Sequence, residues 1–518
     1  MPFSSAHSTF LTLLAILLGF SSCDWLHYSF MNSIPAHSDP KNNSDIYVYL
    51  GLDGLSYDTV KAAMKKGAFA NSSWNLSKFI AMFPATSDAS WTRIMHAEKM
   101  KGYEIEYYDP EKDRLMNKGF LGLAKHVLPN FAESFNFEEN YFRSFDYRAN
   151  GYLHPLEAYG DTFVALSNSL DNLFLLLSNR SLNTQVFSAY LIEYDILGHM
   201  QSAADTTEAL VGLANRIEQF KRHHKSRNFH FTLVSDHGMD FTPITNDKMV
   251  EFNEELGKVG IRSVESLKNH DPKTEIYALP VTHTRVTYLA LHTHPDLTEE
   301  VALRTSRLPS VDLSIGKLTT RPWIKGEDLQ PFTEWYGIWS EGNLALFFGF
   351  DPVKNCYYLP KDFTDFKDFD FKSFDFKDKN PTNYPRYDIS LPSDTRIFSD
   401  KTLFDLTKNG RYPDLFYRTR TGLSKVGVKF PAEVLVSFRP SYVSMGFALG
   451  GKDIGTSGSH GSMERQGTLG TLLSDERTLP DAVRSDNFLD LFPRLKQHLL
   501  ELGQEPVEGD PNASIAYD

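Results

Sequence analysis

The residues of this chain best placed to do chemistry are acids and histidines at the ends of apolar runs. Asp53 follows Tyr-Val-Tyr-Leu-Gly-Leu. Asp195 follows Tyr-Leu-Ile-Glu-Tyr and precedes His199 by four positions, and Asp236-His237 follows Phe-Thr-Leu-Val-Ser. A β-branched and aromatic run that stops at an acid predicts a buried parallel strand with a carboxylate at its C-terminal end. That edge is where open α/β sheets bind ligands. A fourth stretch, Gly458-Ser459-His460-Gly461, brackets an imidazole with glycines, as suits a ligand that a loop must bring close to a metal. Together Asp53, Asp195, His199, Asp236, His237 and His460 offer enough oxygen and nitrogen donors for two divalent ions. Such a mixed donor set suits Zn²⁺, with Mn²⁺ or Fe²⁺ as alternatives, better than Ca²⁺ or Mg²⁺. The chain therefore reads as a two-metal hydrolase.

Two glycines are expected to make these ligands converge. Gly198 would turn the chain so that Asp195 meets His199, and Gly238 would end a strand so that Asp236 and His237 come together. His283, His292 and His294 have no acid-terminated strand beside them and read as ordinary surface or core residues.

Between the first two acids lies Phe83-Pro-Ala-Thr-Ser-Asp-Ala-Ser-Trp-Thr92. Pro84 and the small polar residues precede an apolar helical pattern, which places Ser87 at or near a helix N-cap. Capping alone would account for a serine there. The chemical reading makes Ser87, with Thr86 as the fallback, a metal-activated nucleophile, because coordination overcomes the poor nucleophilicity of an alcohol at neutral pH. The same helix N-terminus would offer backbone N–H groups to a phosphoryl oxygen.

Strands are predicted at Ile46–Leu52, Val186–Tyr194 and Phe229–Ser235, with helices around Tyr57–Lys66, from Ser87 and over Thr206–His224. This alternation predicts an α/β fold with a mostly parallel central sheet and helices on both faces. Residues 240–440 read differently. Strands at Arg285–Leu291 and Asn343–Phe350 are separated by Pro- and Asp-rich connections, and Lys361–Lys379 repeats Asp-Phe units whose phenylalanine content is too high for a solvated tail. This stretch is expected to be an irregular inserted α+β lobe. The chain then returns to regular structure at Glu433–Phe438 and closes with helices after Ser485. The expected organisation is a signal segment at 1–23, a polar tether at 24–45, a catalytic domain at 46–505 carrying the 240–440 insertion, and a tail at 506–518.

With 518 residues, 41% of them hydrophobic, the chain can bury a large core. A net charge of −13 without any Lys/Arg stripe disfavours a nucleic-acid-binding surface. Phe10–Phe20 is an apolar run of signal-peptide length that ends in Phe-Ser-Ser-Cys23. It resembles a bacterial lipobox, with Phe20 where leucine is usual and no Lys or Arg before the run. Export is expected, to the periplasm or to a membrane through acylated Cys23, and Asp24 resembles an inner-membrane retention signal. Cys356 is the one other cysteine, so no disulfide framework is available.

Asp53, the Pro-Ala-Thr-Ser turn, Asp195/His199, Ser-Asp236-His237-Gly and Gly-Ser-His460-Gly together resemble the ordered motif set of the alkaline phosphatase superfamily. The branch they resemble is the type I phosphodiesterase/nucleotide pyrophosphatase enzymes. The resemblance implies an alkaline phosphatase-like fold and a phosphodiesterase or pyrophosphatase acting on a phosphorylated small-molecule or lipid-type substrate. It further implies one metal held by Asp53, Ser87, Asp236 and His237, and another by Asp195, His199 and His460. The nucleotide pyrophosphatases carry an asparagine three residues after the nucleophile, where this chain has Ser90, and the departure weakens any claim of nucleotide specificity. Asp88 adds a negative charge beside Ser87, and Arg93 in the following helix is read as solvated. Phosphomonoester, phosphonate and sulfate ester hydrolysis are rivals on the same site, and a non-catalytic metal-binding surface lipoprotein is a rival of another class. Phosphoethanolamine transfer is disfavoured, since membrane-embedded enzymes of that kind carry transmembrane helices.

Overall fold

The computed structural model describes residues 45–504 other than 72, 105, 117–140, 149–157, 181–184, 282, 284, 320–330, 361–396 and 446–456. The signal segment with Cys23, the tether up to residue 44, the Asp-Phe repeat and the C-terminal tail lie outside the described residues. No described helix is long and apolar enough to cross a membrane.

Seven strands form the first sheet: β1 (Asp45–Leu52), β2 (Asn75–Ile80), β3 (Tyr147–Arg148), β4 (Val186–Leu191), β5 (Asn228–Val234), β6 (Leu469–Ser474) and β7 (Ala482–Arg484). Their order is β7-β2-β6-β5-β1-β4-β3. Strand β6 runs antiparallel to both neighbours and the other pairings are parallel, so the sheet is mostly parallel as the alternation predicts. Side chains along β1 alternate between two cores. Val48, Leu50 and Leu52 pack toward α1 (Tyr57–Lys65), α3 (Thr162–Arg180) and α5 (Ala203–His223), while Tyr49 packs toward α2 (Ser87–Ile94) and α6 (Pro493–Glu501). Each fully buried Leu or Val there contributes roughly 1.5–3 kcal/mol. Helices therefore cover both faces, and the strand ends are left to build a site.

The register puts those ends at one edge. Leu52 pairs with Leu191 and Gly51 with Val234, so β1, β4 and β5 finish within a residue of one another.

The second half departs from the expected irregular lobe. A nine-stranded sheet runs from Arg262–Ser263 at one edge to Ile397–Ser399 at the other, antiparallel apart from one pairing. Its strands toward the edges are short and polar connections separate the longer ones, which is what made the stretch look irregular. Val434–Phe438 is a regular strand, as expected. It lies inside this second sheet, between Tyr288–His292 and Val311–Lys317, where all five of its residues are buried.

Candidate metal centre

Asp53 leaves β1 directly, its N–H still donating to Leu191 O at 3.1 Å. Gly54 follows with φ +65°, and a Cβ there would lie 2.7 Å from Asp195 Oδ1, so only glycine lets Asp195 approach. Its N–H donates to Asp236 Oδ1 at 3.1 Å. One residue thus holds three acids together.

Asp195 and His199 meet in another way than Gly198 suggested. Strand β4 stops at Leu191, and α4 (Glu193–Met200) carries both residues at i and i+4 on one helical face. Gly198 lies inside that helix, where a Cβ would meet Met239 Cε at 2.6 Å, so its role is packing. Gly238 likewise serves close approach: a Cβ would sit 2.2 Å from Gln466 O. Asp236 and His237 lie beyond the end of β5, which finishes at Val234. His460 comes from the far end of the chain and is seated by a bridge to Val286. Thr287 adds two bonds to the His460 carbonyl, from its N–H at 2.8 Å and its hydroxyl at 2.7 Å.

In all three histidines at the centre, Nδ1 faces a backbone carbonyl at 2.9 Å: Gly458 for His199, Gly238 for His237 and Ala85 for His460. A carbonyl can only accept, so Nδ1 carries a proton in each ring, which leaves Nε2 as the atom that can ligate a metal. His237 Nε2 lies 3.4 Å from Asp53 Oδ1 and 3.3 Å from Asp236 Oδ2. His199 Nε2 lies 3.5 Å from Asp195 Oδ2, and His460 Nε2 lies 3.7 Å from Asp195 Oδ1. Donor atoms of Asp53, Asp236 and His237 fall within 4.8 Å of one another, as do those of Asp195, His237 and His460.

These residues fit divalent cations. Asp195 Oδ1 and Asp236 Oδ2 are buried with no hydrogen-bond partner among the described residues. Burial, reinforced by the charges of Asp236 and Asp195, lifts the Asp53 carboxyl well above the usual range. Burial also raises Asp236, and burial together with His237 and His199 holds His460 well below the ordinary imidazole range. Crowded acids that form no Lys or Arg ion pair among the described residues, facing imidazole Nε2 atoms, are what a bound cation would relieve.

The serine turn faces the same point. From Ala81 to Met95 every residue is buried except Ser87. Its Oγ lies 3.1 Å from Asp53 Oδ1 and 3.2 Å from His237 Nε2. Thr86, not Ser87, is the N-cap, and its hydroxyl donates to Tyr103 O at 2.7 Å instead of capping. The first N–H groups of α2 are therefore left without a side-chain cap. Ser90 is fully buried one turn behind Ser87, with no hydrogen-bond partner for its hydroxyl among the described residues. Asp88 is buried and accepts from the Tyr141 hydroxyl at 3.2 Å. Arg93 is not solvated: it is buried against Asp486, with its Nε 2.7 Å from Oδ1, and anchors α2.

Sequence reasoning missed Tyr190, whose hydroxyl donates to Asp53 Oδ2. Nothing local marks it, since it reads as one more apolar strand residue. His292 and His294 stay outside the centre, near Glu433 and Asp296. His283 comes closer, near enough for its charge to act on His460.

The type I phosphodiesterase / nucleotide pyrophosphatase family model matches residues 56–308. Over these residues the chain is similar to that family. The matched span holds Ser87, Asp195, His199, Asp236 and His237, while Asp53 and His460 join them from outside it. No curated protein sequence matches the chain. Similar solved structures include human ectonucleotide pyrophosphatase/phosphodiesterase 5, at 10% identity and TM-score 0.45, covering 90% of this chain and 97% of that one. The murine protein is similar at 9% identity and TM-score 0.42, with the same coverage. An inactive variant of the murine protein in complex with AMP is similar at 10% identity and TM-score 0.43, again with that coverage.

Proposed function

We propose that this protein hydrolyses phosphodiester or pyrophosphate bonds of phosphorylated small molecules through a covalent intermediate on Ser87. The observation that carries the reading is the position of Ser87 Oγ, part-buried and within 3.2 Å of both Asp53 and His237. Asp53, Ser87, Asp236 and His237 would hold one divalent ion, and Asp195, His199 and His460 the other, with zinc the best match to the donors. Bound there, the ions would lower the pKa of the serine hydroxyl and offset the charge of the phosphoryl group.

The chain's own groups do the rest. Ser87 Oγ attacks phosphorus, its bond to phosphorus forming as the bond to the leaving oxygen breaks. This gives a phosphoseryl enzyme that retains the other substituent. Water then attacks the same phosphorus and returns the serine hydroxyl. The uncapped first turn of α2 presents N–H groups to a phosphoryl oxygen.

The test is a comparison of wild type and Ser87→Ala on bis-aryl phosphodiester, aryl phosphate and aryl sulfate, with metal content measured on both proteins. Wild type should carry about two transition ions and prefer the diester. Ser87→Ala should lose several orders of magnitude in turnover while staying folded. Near-normal activity of that variant would overturn the mechanism.

A further inference from the structure

Arg418 has no part in the chemistry assigned so far, yet it is bonded to both segments that frame the nucleophile. It lies in the helix Leu415–Gly422, every residue of which is buried, and is itself 1% exposed. Among the described residues all four of its side-chain hydrogen bonds go to backbone carbonyls. Nη1 donates to Met463 O at 2.9 Å and to Pro413 O at 3.3 Å. Nη2 donates to Met82 O at 3.3 Å and to Ser462 O at 3.4 Å. The nearby acid, Asp414, is engaged by Arg484, whose Nη2 lies 2.8 Å from its Oδ1.

Those carbonyls mark two segments that run into the centre. Met82 leads into the turn that carries Ser87, and Ser462 and Met463 follow His460. Nearer the centre the same two segments are joined directly. The Ala85 N–H donates to Gly461 O at 3.4 Å, and the His460 Nδ1–H donates to Ala85 O at 2.9 Å. Arg418 Nη2 closes the outer end of this pair by bonding one carbonyl from each segment. The helix also meets the turn at Gly422, where a Cβ would lie 2.5 Å from Phe83 O. A buried cation is costly unless its partners offset the lost water. A planar fork can span carbonyls of separate segments, whereas the point charge of a lysine cannot.

We propose that Arg418 is a positioning residue that fixes the Ser87 turn to the His460 loop, so that nucleophile and metal ligand share one frame. The proposal rests on the phosphodiester reading of the site. Arg418 acts through backbone carbonyls alone. Without its fork the two segments would slide past one another, and a misplacement of about 1 Å costs a reaction about a hundred-fold in rate. His460 would loosen with the turn, because the turn's Ala85 carbonyl orients its ring. Supports of that kind are worth about ten- to a hundred-fold in metal affinity.

The test compares wild type, Arg418→Lys and Gly422→Ala. It measures kcat and KM on bis(4-nitrophenyl) phosphate, and zinc affinity by competition with a chromophoric chelator. Arg418→Lys keeps the charge and loses the fork. Gly422→Ala presses on Phe83 O with Arg418 left in place, and decides the matter if the lysine variant does not fold. Each should lose roughly ten- to a hundred-fold in kcat with KM within about three-fold of wild type. Zinc affinity should fall about ten-fold or more. Leu173→Ala, in the core on the other face of the first sheet, is the control for lost stability. It should melt lower and keep kcat and zinc affinity within about three-fold. Wild-type kcat or zinc affinity in either folded variant would overturn the assignment, as would equal losses in Leu173→Ala. A wild type that hydrolyses no phosphodiester would sink the phosphodiesterase reading, and the zinc measurement would still decide Arg418.

Discussion

Tyr190→Phe removes one oxygen from the centre and little else. The ring keeps its edge-on contact with Trp91 at 5.5 Å and its tilted contact with Phe145 at 5.3 Å, so packing is retained. What goes is the hydroxyl that donates to Asp53 Oδ2. A hydrogen bond to a charged group is worth about 1.5–3 kcal/mol, and about 1.4 kcal/mol is tenfold in an equilibrium constant. Burial and the neighbouring acids already lift the Asp53 carboxyl, and the Tyr190 bond opposes that rise. Without it Asp53 holds its proton to higher pH, and metal must displace that proton to bind. Zinc affinity at neutral pH should therefore fall roughly ten- to a hundred-fold, the range found for outer partners of metal ligands. The loss should be larger at pH 6 than at pH 8, because protons compete harder at the lower pH. Competition with a chromophoric chelator at the two pH values measures this, with a thermal melt of the metal-free protein as the control for folding. An unchanged zinc affinity in a folded variant would refute the idea that this hydroxyl readies Asp53 for metal.

Asp53→Asn should abolish turnover yet stabilise the metal-free protein, because it removes a charge from a crowd of buried acids. A carboxyl whose folded pKa is raised adds stability only below its unfolded value, ~3.9, and loses it as pH rises through the folded value. Asparagine does not titrate, so the gain in melting temperature should be larger at pH 8 than at pH 5, and a pH-independent difference would count against this account. Thr86→Val breaks the bond to Tyr103 O and should cost about 1 kcal/mol in denaturant titration. It should keep most of the activity, since the Thr86 hydroxyl faces away from the acids. A loss as deep as that of Ser87→Ala would make Thr86 the nucleophile.

The ligands were readable because each follows an apolar run, and apolar runs are local. Their manner of convergence was not. The Tyr-Leu-Ile-Glu-Tyr run looks like strand up to its acid, but the strand stops at Leu191 and Asp195 rides the first turn of α4. Gly198 and Gly238 looked like turn residues and proved to be close-packing residues, because their neighbours, Met239 and Gln466, come from other segments. Tyr190 shows the limit most clearly. Its partner is set by the register of β4 against β1, a non-local pairing that no pattern around residue 190 encodes. Arg93 was misread for the same reason, since Asp486 lies 393 positions away. The nine-stranded sheet was hidden by its short edge strands and by the distance in sequence between Val434–Phe438 and the strands it pairs with.

The central claim is that Ser87 forms a covalent bond to phosphorus. Rapid acid quench of the metal-loaded enzyme during turnover of a bis-aryl phosphodiester, followed by peptide mass spectrometry, tests it directly. The account predicts an aryl-phosphoryl adduct on the peptide containing Ser87, mapped to that residue and missing from Ser87→Ala. An adduct on Thr86, or active turnover with no protein adduct under conditions that make its breakdown rate-limiting, would contradict it.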